Sequence, residues 1–578
     1  MTEYAAEADA GAVDFFARHR ELLERAVDAT RSREFWSPFP ESPSERVYGA
    51  GSAAAGEAAF RALLNEPFAL PGWGRDEIGE ATEVSPYGFP LGVRYPAVAP
   101  GAAVALAREA GAGWRAASPE VRAGVAVEIL TRLNAASFEL AHAVRHTTGQ
   151  PFVMAFQAGG PHAQERGLEA VAYAWAEQAR HPGSAAWAKP RRGGGPLALA
   201  KTFTPVGRGV AVLIGCNTFP TWNGYPGLFA SLVTGNPVVV KPHPRAVLPL
   251  AITVRVAREV LAEAGFAPDV VVLAAEPEGA GTARELATHP EVRIVDFTGS
   301  SKFGDWLEAN ARQAQVYTEK AGLNTVVLDS TDDYAGLLRN LAFSLSLYSG
   351  QMCTTPQNLL VGRGGIVTDQ GVRSAAEFAA DLGVALEKLL ADEARATGTL
   401  GAIVGDGVRA RLAEAARLPG VCHPSRTLPH PDFPEAVART PLIALLDAAA
   451  DREVYTREWF GPVSFVVVTE STAESVRLLR ETVGAFGALT ALVHSTDEAV
   501  LDAAREAALA AGVHLSENLT DGVFVNQSSA FSDFHGSAAN PAASATLTDP
   551  AFVAGRFAVL QSRRPAVSAS DSAPGDAS

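Results

Sequence analysis

The sequence predicts an α/β protein built around parallel sheets, and three observations carry that reading. From Leu197 onward, short runs rich in Val, Ile and Leu alternate with longer helical segments. Runs at 209–214, 237–241, 269–273 and 292–297 are separated by helical patterns at 225–234, 249–264 and 279–288. This β-α-β-α-β order folds into a parallel sheet with helices on both faces. A second alternation opens at 325–328, passes through 358–361, 465–468 and 488–493, and ends near Asn518. At 578 residues the chain exceeds what one core sustains, so two or three domains are expected.

Ahead of the sheets, residues 1–50 read as a helical extension: apolar residues recur near helical spacing over 12–30, and a Pro-rich stretch follows at 37–44. Helical patterns resume at 53–64, 100–114 and 119–146. The stretch 181–196 (HPGSAAWAKPRRGGGP) reads as a loop by composition. Residues 564–578 are rich in Ser, Ala and Pro and are expected to be disordered.

Composition narrows the function. With 47% hydrophobic and 19% charged residues, the chain belongs with folded proteins and not disordered ones. A net charge of −16 opposes binding to a nucleic-acid backbone or an anionic membrane surface. No apolar run reaches the roughly 20 residues a membrane span requires. The N-terminus lacks a signal peptide's basic start and apolar centre, so a cytoplasmic location is expected. Cysteines at 216, 353 and 422 are too few for a disulfide framework and fit a reducing compartment. His and Cys show no ligand spacing, so no metal site is expected.

The chemistry concentrates in a few segments. Cys353, in Gly-Gln-Met-Cys-Thr-Thr, lies 34 residues after Glu319, in Thr-Glu-Lys-Ala-Gly. A thiolate and a carboxylate base can together oxidise an aldehyde through a thioester and then hydrolyse it. The plain alternatives are a small buried thiol and a solvated surface carboxylate. Cys353 follows a helical pattern at 334–347 and precedes the strand 358–361, a junction where chemistry is usually mounted. Asn217 follows the strand 209–214 and offers an amide to a developing oxyanion; it also suits a simple turn. Asn223 is a competing candidate. Lys241 ends the run Val-Val-Val-Lys-Pro. Gly299 and Ser300 sit at a strand-to-helix junction whose N–H groups and dipole can hold a pyrophosphate.

These segments, in this order, together with Glu458 and Phe460 in Glu-Trp-Phe-Gly-Pro, resemble the aldehyde dehydrogenase superfamily from about Leu197 to Phe531. The resemblance implies a three-part fold: a parallel-sheet cofactor domain, an α/β catalytic domain and a small β oligomerisation arm. The corresponding ranges are 51–318, 319–523 and 524–563, with an arm strand near 197–205 pairing with 557–561. It implies catalytic roles for Cys353, Glu319 and Asn217, and cofactor contacts from Lys241, Gly299, Ser300, Glu458 and Phe460. Lys320 and Ala321 depart from the family's Glu-Leu-Gly-Gly-Lys pattern, and Thr218 is an insertion before Phe-Pro.

The implied reaction is NAD(P)-dependent oxidation of an aldehyde to an acid, by a homo-dimer or homo-tetramer. CoA-acylating oxidation and a non-catalytic binding protein on the same fold are the rival readings. Segments 35–40, 83–89 and 531–536 further resemble the phenylacetate-degradation branch (PaaN), which implies an acyl-CoA semialdehyde as substrate. NADP is expected to be accepted at least as well as NAD. Pro244 stands where NAD-preferring members carry an acid, and Lys241 and Arg245 add positive charge nearby.

Overall fold

The structure is a computed structural model that describes residues 14–74, 78–193, 195–320 and 322–566. Two parallel sheets form its frame. The first has five strands, in the order Val271–Leu273, Val238–Lys241, Val210–Ile214, Val292–Gly299 and Gln315–Lys320, all parallel. The second orders seven strands as Val421–His423, Leu442–Asp447, Val463–Thr469, Asn358–Gly362, Thr325–Leu328, Thr490–His494 and His514–Glu517. Only its first, edge strand runs antiparallel to its neighbour. Central strands such as Val210–Ile214 and Asn358–Gly362 are buried along their whole length, as helices on both faces of a parallel sheet require.

Chain order in the first sheet runs outward from Val210–Ile214 on one side, then returns to build the other side from Val292–Gly299. The crevice between those two strands is a topological switch point, where open α/β sheets take ligands beyond their carboxyl ends.

Three sequence expectations need adjustment. The stretch 181–196 is not all loop: Ser184–Lys189 is a strand, paired antiparallel with Leu197–Gly207. Its Ser-Ala-Ala-Trp-Ala-Lys has little β signal of its own, and pairing supplies the order. Phe557–Pro565 pairs on the other side of Leu197–Gly207, so this small sheet has three strands and not two. That strand also runs through Arg564 and Pro565, at the start of the stretch expected to be disordered; residues 567–578 lie outside the described residues. Glu319 lies inside a further strand, Gln315–Lys320, that the sequence reading does not include. The chain leaves the first sheet after Lys320, and Ala321 lies outside the described residues.

At the N-terminus, a helix spans Phe15–Ser32, capped by the Asp14 side chain. The pattern 119–146 resolves into two helices, Pro119–Ala135 and Ser137–Thr148, broken at Ala136. The helices Phe152–Gly159 and Pro161–Gln178 were not anticipated; both are largely buried, which blurs an amphipathic signal.

Candidate active site

Strand register assembles the site. Ile214 pairs with both Lys241 and Phe297, and Thr298 pairs with Glu319. Asn217, Lys241, Gly299 and Glu319 therefore ring the carboxyl ends of one sheet. Cys353 comes from the other sheet. The helix Tyr334–Ser346 is followed by three consecutive left-handed residues, Tyr348, Ser349 and Gly350, with φ of 54°, 52° and 65°. Two of these have side chains, so the turn is strained and must be held by its surroundings. Gly350 is required there on a second count, since a Cβ would stand 2.5 Å from the Gly461 carbonyl oxygen.

The anchors are explicit. The Tyr348 hydroxyl donates to the Thr148 carbonyl, and the Gln351 amide donates to the Ala402 carbonyl at 3.1 Å. Buried Asn324 donates to the carbonyls of Cys353 (2.7 Å) and Thr355 (3.1 Å). Its Oδ1 accepts from the backbone of Leu489 (3.0 Å) and Thr490 (3.1 Å). One amide thus ties the cysteine loop to two strands.

Around Cys353 lies a compact polar cluster. His535 Nε2 is 3.0 Å from Glu319 Oε1 and 3.9 Å from Cys353 Sγ. Asn223 Nδ2 donates to the same Glu319 oxygen at 3.0 Å. The second oxygen, Oε2, is buried with no hydrogen-bond partner among the described residues. Burial, reinforced by the negative charge of Glu319, pushes the Cys353 thiol well above its ordinary range. Burial likewise pushes Cys216 up to about 12, so it stays a protonated thiol, with Sγ 3.7 Å from Asn223 Oδ1.

The two asparagines differ in how they are held. Asn223 is committed to Glu319 and Cys216. Asn217 makes one long contact, from Nδ2 to the Thr147 carbonyl at 3.5 Å. Its loop is fixed from beside it: Gln150 Nε2 donates to the Thr218 carbonyl at 2.8 Å, and the Tyr87 hydroxyl donates to the Gln150 carbonyl at 2.9 Å.

Two cavities meet at Cys353 and Asn223. One, of about 600 Å³, is lined by Asn217, Lys241, Gly299, Ser300, Glu319, Glu458 and Phe460 among others, so every residue expected to touch the cofactor borders it. The other, of about 440 Å³, is bordered by His535, Trp222 and Phe343.

In the larger cavity, Ser300 caps the helix Ser301–Asn310, its side chain accepting from Phe303 N–H. Lys241 is buried against Glu276 in an ion pair, and Arg245 is paired with Glu278 at 3.0 Å. The positive charge counted in the sequence is therefore matched by two carboxylates from the loop after Val271–Leu273. Burial raises Glu458 to about 6, with Arg411 pulling the other way. Arg411 also donates to the Phe460 carbonyl at 2.9 Å. Lys320, one of the departures from the family pattern, reaches Asp305 (2.8 Å) and Glu308 (3.1 Å) on the helix that Ser300 caps.

Residues 97–537 match the model of the aldehyde dehydrogenase family. The chain belongs to that family. Among curated relatives, it is 26% identical to an N-succinylglutamate 5-semialdehyde dehydrogenase of Burkholderia ambifaria over 400 residues, covering 67% of this chain and 74% of that protein. The corresponding Burkholderia cenocepacia protein is 28% identical over the same span and shares. A solved NAD-dependent aldehyde dehydrogenase from Burkholderia multivorans is 55% identical, with a TM-score of 0.94 over 96% of this chain and all of that one. A Thermus thermophilus 1-pyrroline-5-carboxylate dehydrogenase shares the fold alone, at 18% identity and a TM-score of 0.69 over 92% of this chain and 99% of that one. This chain is thus an aldehyde dehydrogenase.

Several residues of this aldehyde dehydrogenase's site carried no sequence assignment: His535, Asn324, Glu276 and Glu278. His535 lay inside a segment already singled out for resemblance, and Asn324 just after the Glu319 segment, but nothing local to them shows that they reach Cys353 and its loop. Two of the three segments likened to the phenylacetate branch, 35–40 and 531–536, converge in space, while 83–89 packs elsewhere, Tyr87 against Phe433 and Glu83 on Val247 N–H. Trp36 meets Phe531 edge-on at 4.8 Å, the Arg33 guanidinium lies 3.9 Å from the centre of the Phe534 ring, and Phe35, Ser37 and His535 border one cavity. Glu319, Cys353 and His535 also present three metal-ligating atoms within 4.8 Å of one another, a grouping that sequence spacing cannot show.

Proposed function

We propose that this enzyme oxidises an aldehyde to a carboxylic acid with Cys353 as nucleophile and Glu319 as the base of the hydrolytic half-reaction. The observation that carries this is the buried, unpartnered Oε2 of Glu319 beside a cysteine on a strained, anchored loop. Sγ of Cys353 adds to the aldehyde carbon, and the carbonyl electron pair moves to an oxygen that Asn217 Nδ2 and the Cys353 N–H can receive. Loss of hydride from that carbon leaves a thioester on Cys353. Glu319 then takes a proton from water at Oε2, the hydroxide adds to the thioester, and the C–S bond breaks to release the acid.

A nicotinamide dinucleotide fits the larger cavity: the capped helix start at Ser300 suits its pyrophosphate, Lys241 the adenosine ribose, and Glu458 the second ribose. Bound there, it supplies the hydride acceptor. The acids at 276 and 278 return the negative charge that Pro244 removes, so NAD is the proposed preference over NADP.

For the substrate we propose an aldehyde whose near chain is uncharged. The smaller cavity mixes apolar Met154, Phe219, Trp222, Phe343 and Leu347 with Ser37, Asn526 and Gln157, and its charged borders are Glu41 and Glu165 beside His162. Among the described residues, no Lys or Arg lines it. The carboxylates of an N-succinylglutamate semialdehyde have no cation to meet there. An acyl-CoA semialdehyde of phenylacetate catabolism, entering acyl end first, suits the wall better, and two of the three segments that carry its supporting resemblance, 35–40 and 531–536, contribute to that wall. The test compares kcat/KM across N-succinylglutamate semialdehyde, uncharged medium-chain aldehydes and an acyl-CoA semialdehyde, with and without free CoA. The proposal expects the first to be poorest and the product to be the free acid throughout. A preference for the N-succinylglutamate semialdehyde, a dicarboxylate, or a CoA thioester product, contradicts it.

A further inference from the structure

We propose that His535 is a catalytic residue whose Nε2–H serves two acceptors in turn, the Cys353 thiolate during addition and the Glu319 carboxylate during hydrolysis. The inference rests on the roles assigned above to Cys353 and Glu319. Those roles leave a difficulty: both groups act as anions, they are buried together, and each disfavours charge on the other. A donor placed between them relieves it.

His535 occupies that place. Nε2 stands 3.0 Å from Glu319 Oε1 and 3.9 Å from Cys353 Sγ. Because a carboxylate only accepts, this contact selects the tautomer with hydrogen on Nε2. The ring is 4% exposed and meets Trp222 edge-on at 4.7 Å, while its carbonyl accepts from Leu547 N–H at 2.9 Å. The imidazole is therefore held, with little freedom beyond tilting its N–H between the two acceptors. Asn223 already donates to Oε1, so Glu319 keeps a partner when the imidazole turns to sulfur.

Other polar groups do not duplicate this role. Cys216 faces the site from the Asn217 loop as a protonated thiol, and Lys320 is engaged by Asp305 and Glu308. Arg166, under the Trp222 ring, is bound to Glu169, Ser528 and the Asp533 carbonyl. Glu165, Glu41 and His162 border the same cavity, where Glu41 pairs with His162 and Glu165 accepts from Ser37. The His514 ring stacks on Phe534 and contacts the Gly536 carbonyl. The proton count is simple: the thiol proton leaves to solvent, and the Nε2 proton stays on His535.

The test is the pH dependence of iodoacetamide alkylation at Cys353, followed by peptide mass, in the wild type, His535→Phe and His535→Gln. The proposal expects His535→Phe to move the alkylation midpoint up by about one pH unit or more, a tenfold slower reaction below the midpoint. His535→Gln, which keeps an N–H donor without the ring, should recover most of the rate. Retained NAD affinity shows that a variant is folded; should His535→Phe not fold, His535→Met supplies the same contrast. An unchanged midpoint overturns the proposal, and so does an equal shift in the Gln and apolar variants. Label on a residue other than Cys353 in the wild type overturns the nucleophile assignment itself, whatever His535 does.

Discussion

Glu278 closes a two-pronged ion pair on Arg245, with Nε–Oε2 and Nη2–Oε1 both at 3.0 Å, at the edge of the larger cavity. Beside it Glu276 neutralises Lys241. A bound 2′-phosphate would meet the Glu278 carboxylate, which borders that cavity, and a Lys241 already neutralised, neither of which the run Lys-Pro-His-Pro-Arg reveals.

Glu278→Gln should therefore raise the ratio of kcat/KM for NADP over NAD, by roughly tenfold for the loss of one nearby charge in a partly screened site. Steady-state kinetics with both cofactors checks it. An unchanged ratio places Glu278 away from the ribose.

Asn324→Ala removes four hydrogen bonds that fix the cysteine loop. Leaving buried backbone groups unpaired costs about 1–3 kcal/mol each when they cannot find water. A lowered melting temperature and a kcat reduced by tenfold or more, with NAD affinity retained, are expected. Loss of stability without loss of kcat assigns Asn324 to the fold alone.

Glu458 carries a pH signature. Burial raises it to about 6, so its carboxylate is ionised above that value and neutral below. If the charged form holds the nicotinamide ribose, KM for NAD should rise as pH falls through about 6. Glu458→Gln should show a raised KM that no longer varies across that window. The stability sign is opposite: burial penalises the charged form, so Glu458 favours the folded state more below its raised value than above it. A wild-type KM flat from pH 5 to 8 contradicts the assignment.

The frame of this protein was legible because buried parallel strands such as Val210–Ile214 and Thr325–Leu328 are dominated by Val, Leu and Ile. Gln315–Lys320 was missed because its Gln, Thr, Glu and Lys are strand residues by pairing and not by propensity. The motif residues were legible because their chemistry is local to a strand end or a turn. His535 was not, since its meaning depends on Glu319 lying 216 positions earlier in sequence. Glu276 and Glu278 escaped for the same reason: their partners stand on the neighbouring strand's loop, and charge counted along one segment ignores the next.

The same close approach predicts inhibition by a thiophilic cation. Zn²⁺ should be bound by Cys353, His535 and Glu319, whose ligand atoms lie within 4.8 Å of one another. Micromolar Zn²⁺ should slow both turnover and iodoacetamide labelling of Cys353, and chelation should restore them. Labelling that continues unslowed while turnover stops would place the ion elsewhere.

The central claim is that Cys353 carries the acyl group and Glu319 releases it. Glu319→Gln, mixed with aldehyde and NAD and quenched with acid, should show one equivalent of reduced cofactor formed in a burst, and peptide mass analysis should find the acyl group on Cys353. A burst absent along with turnover, an acyl group on another residue, or wild-type turnover in Glu319→Gln would contradict the account.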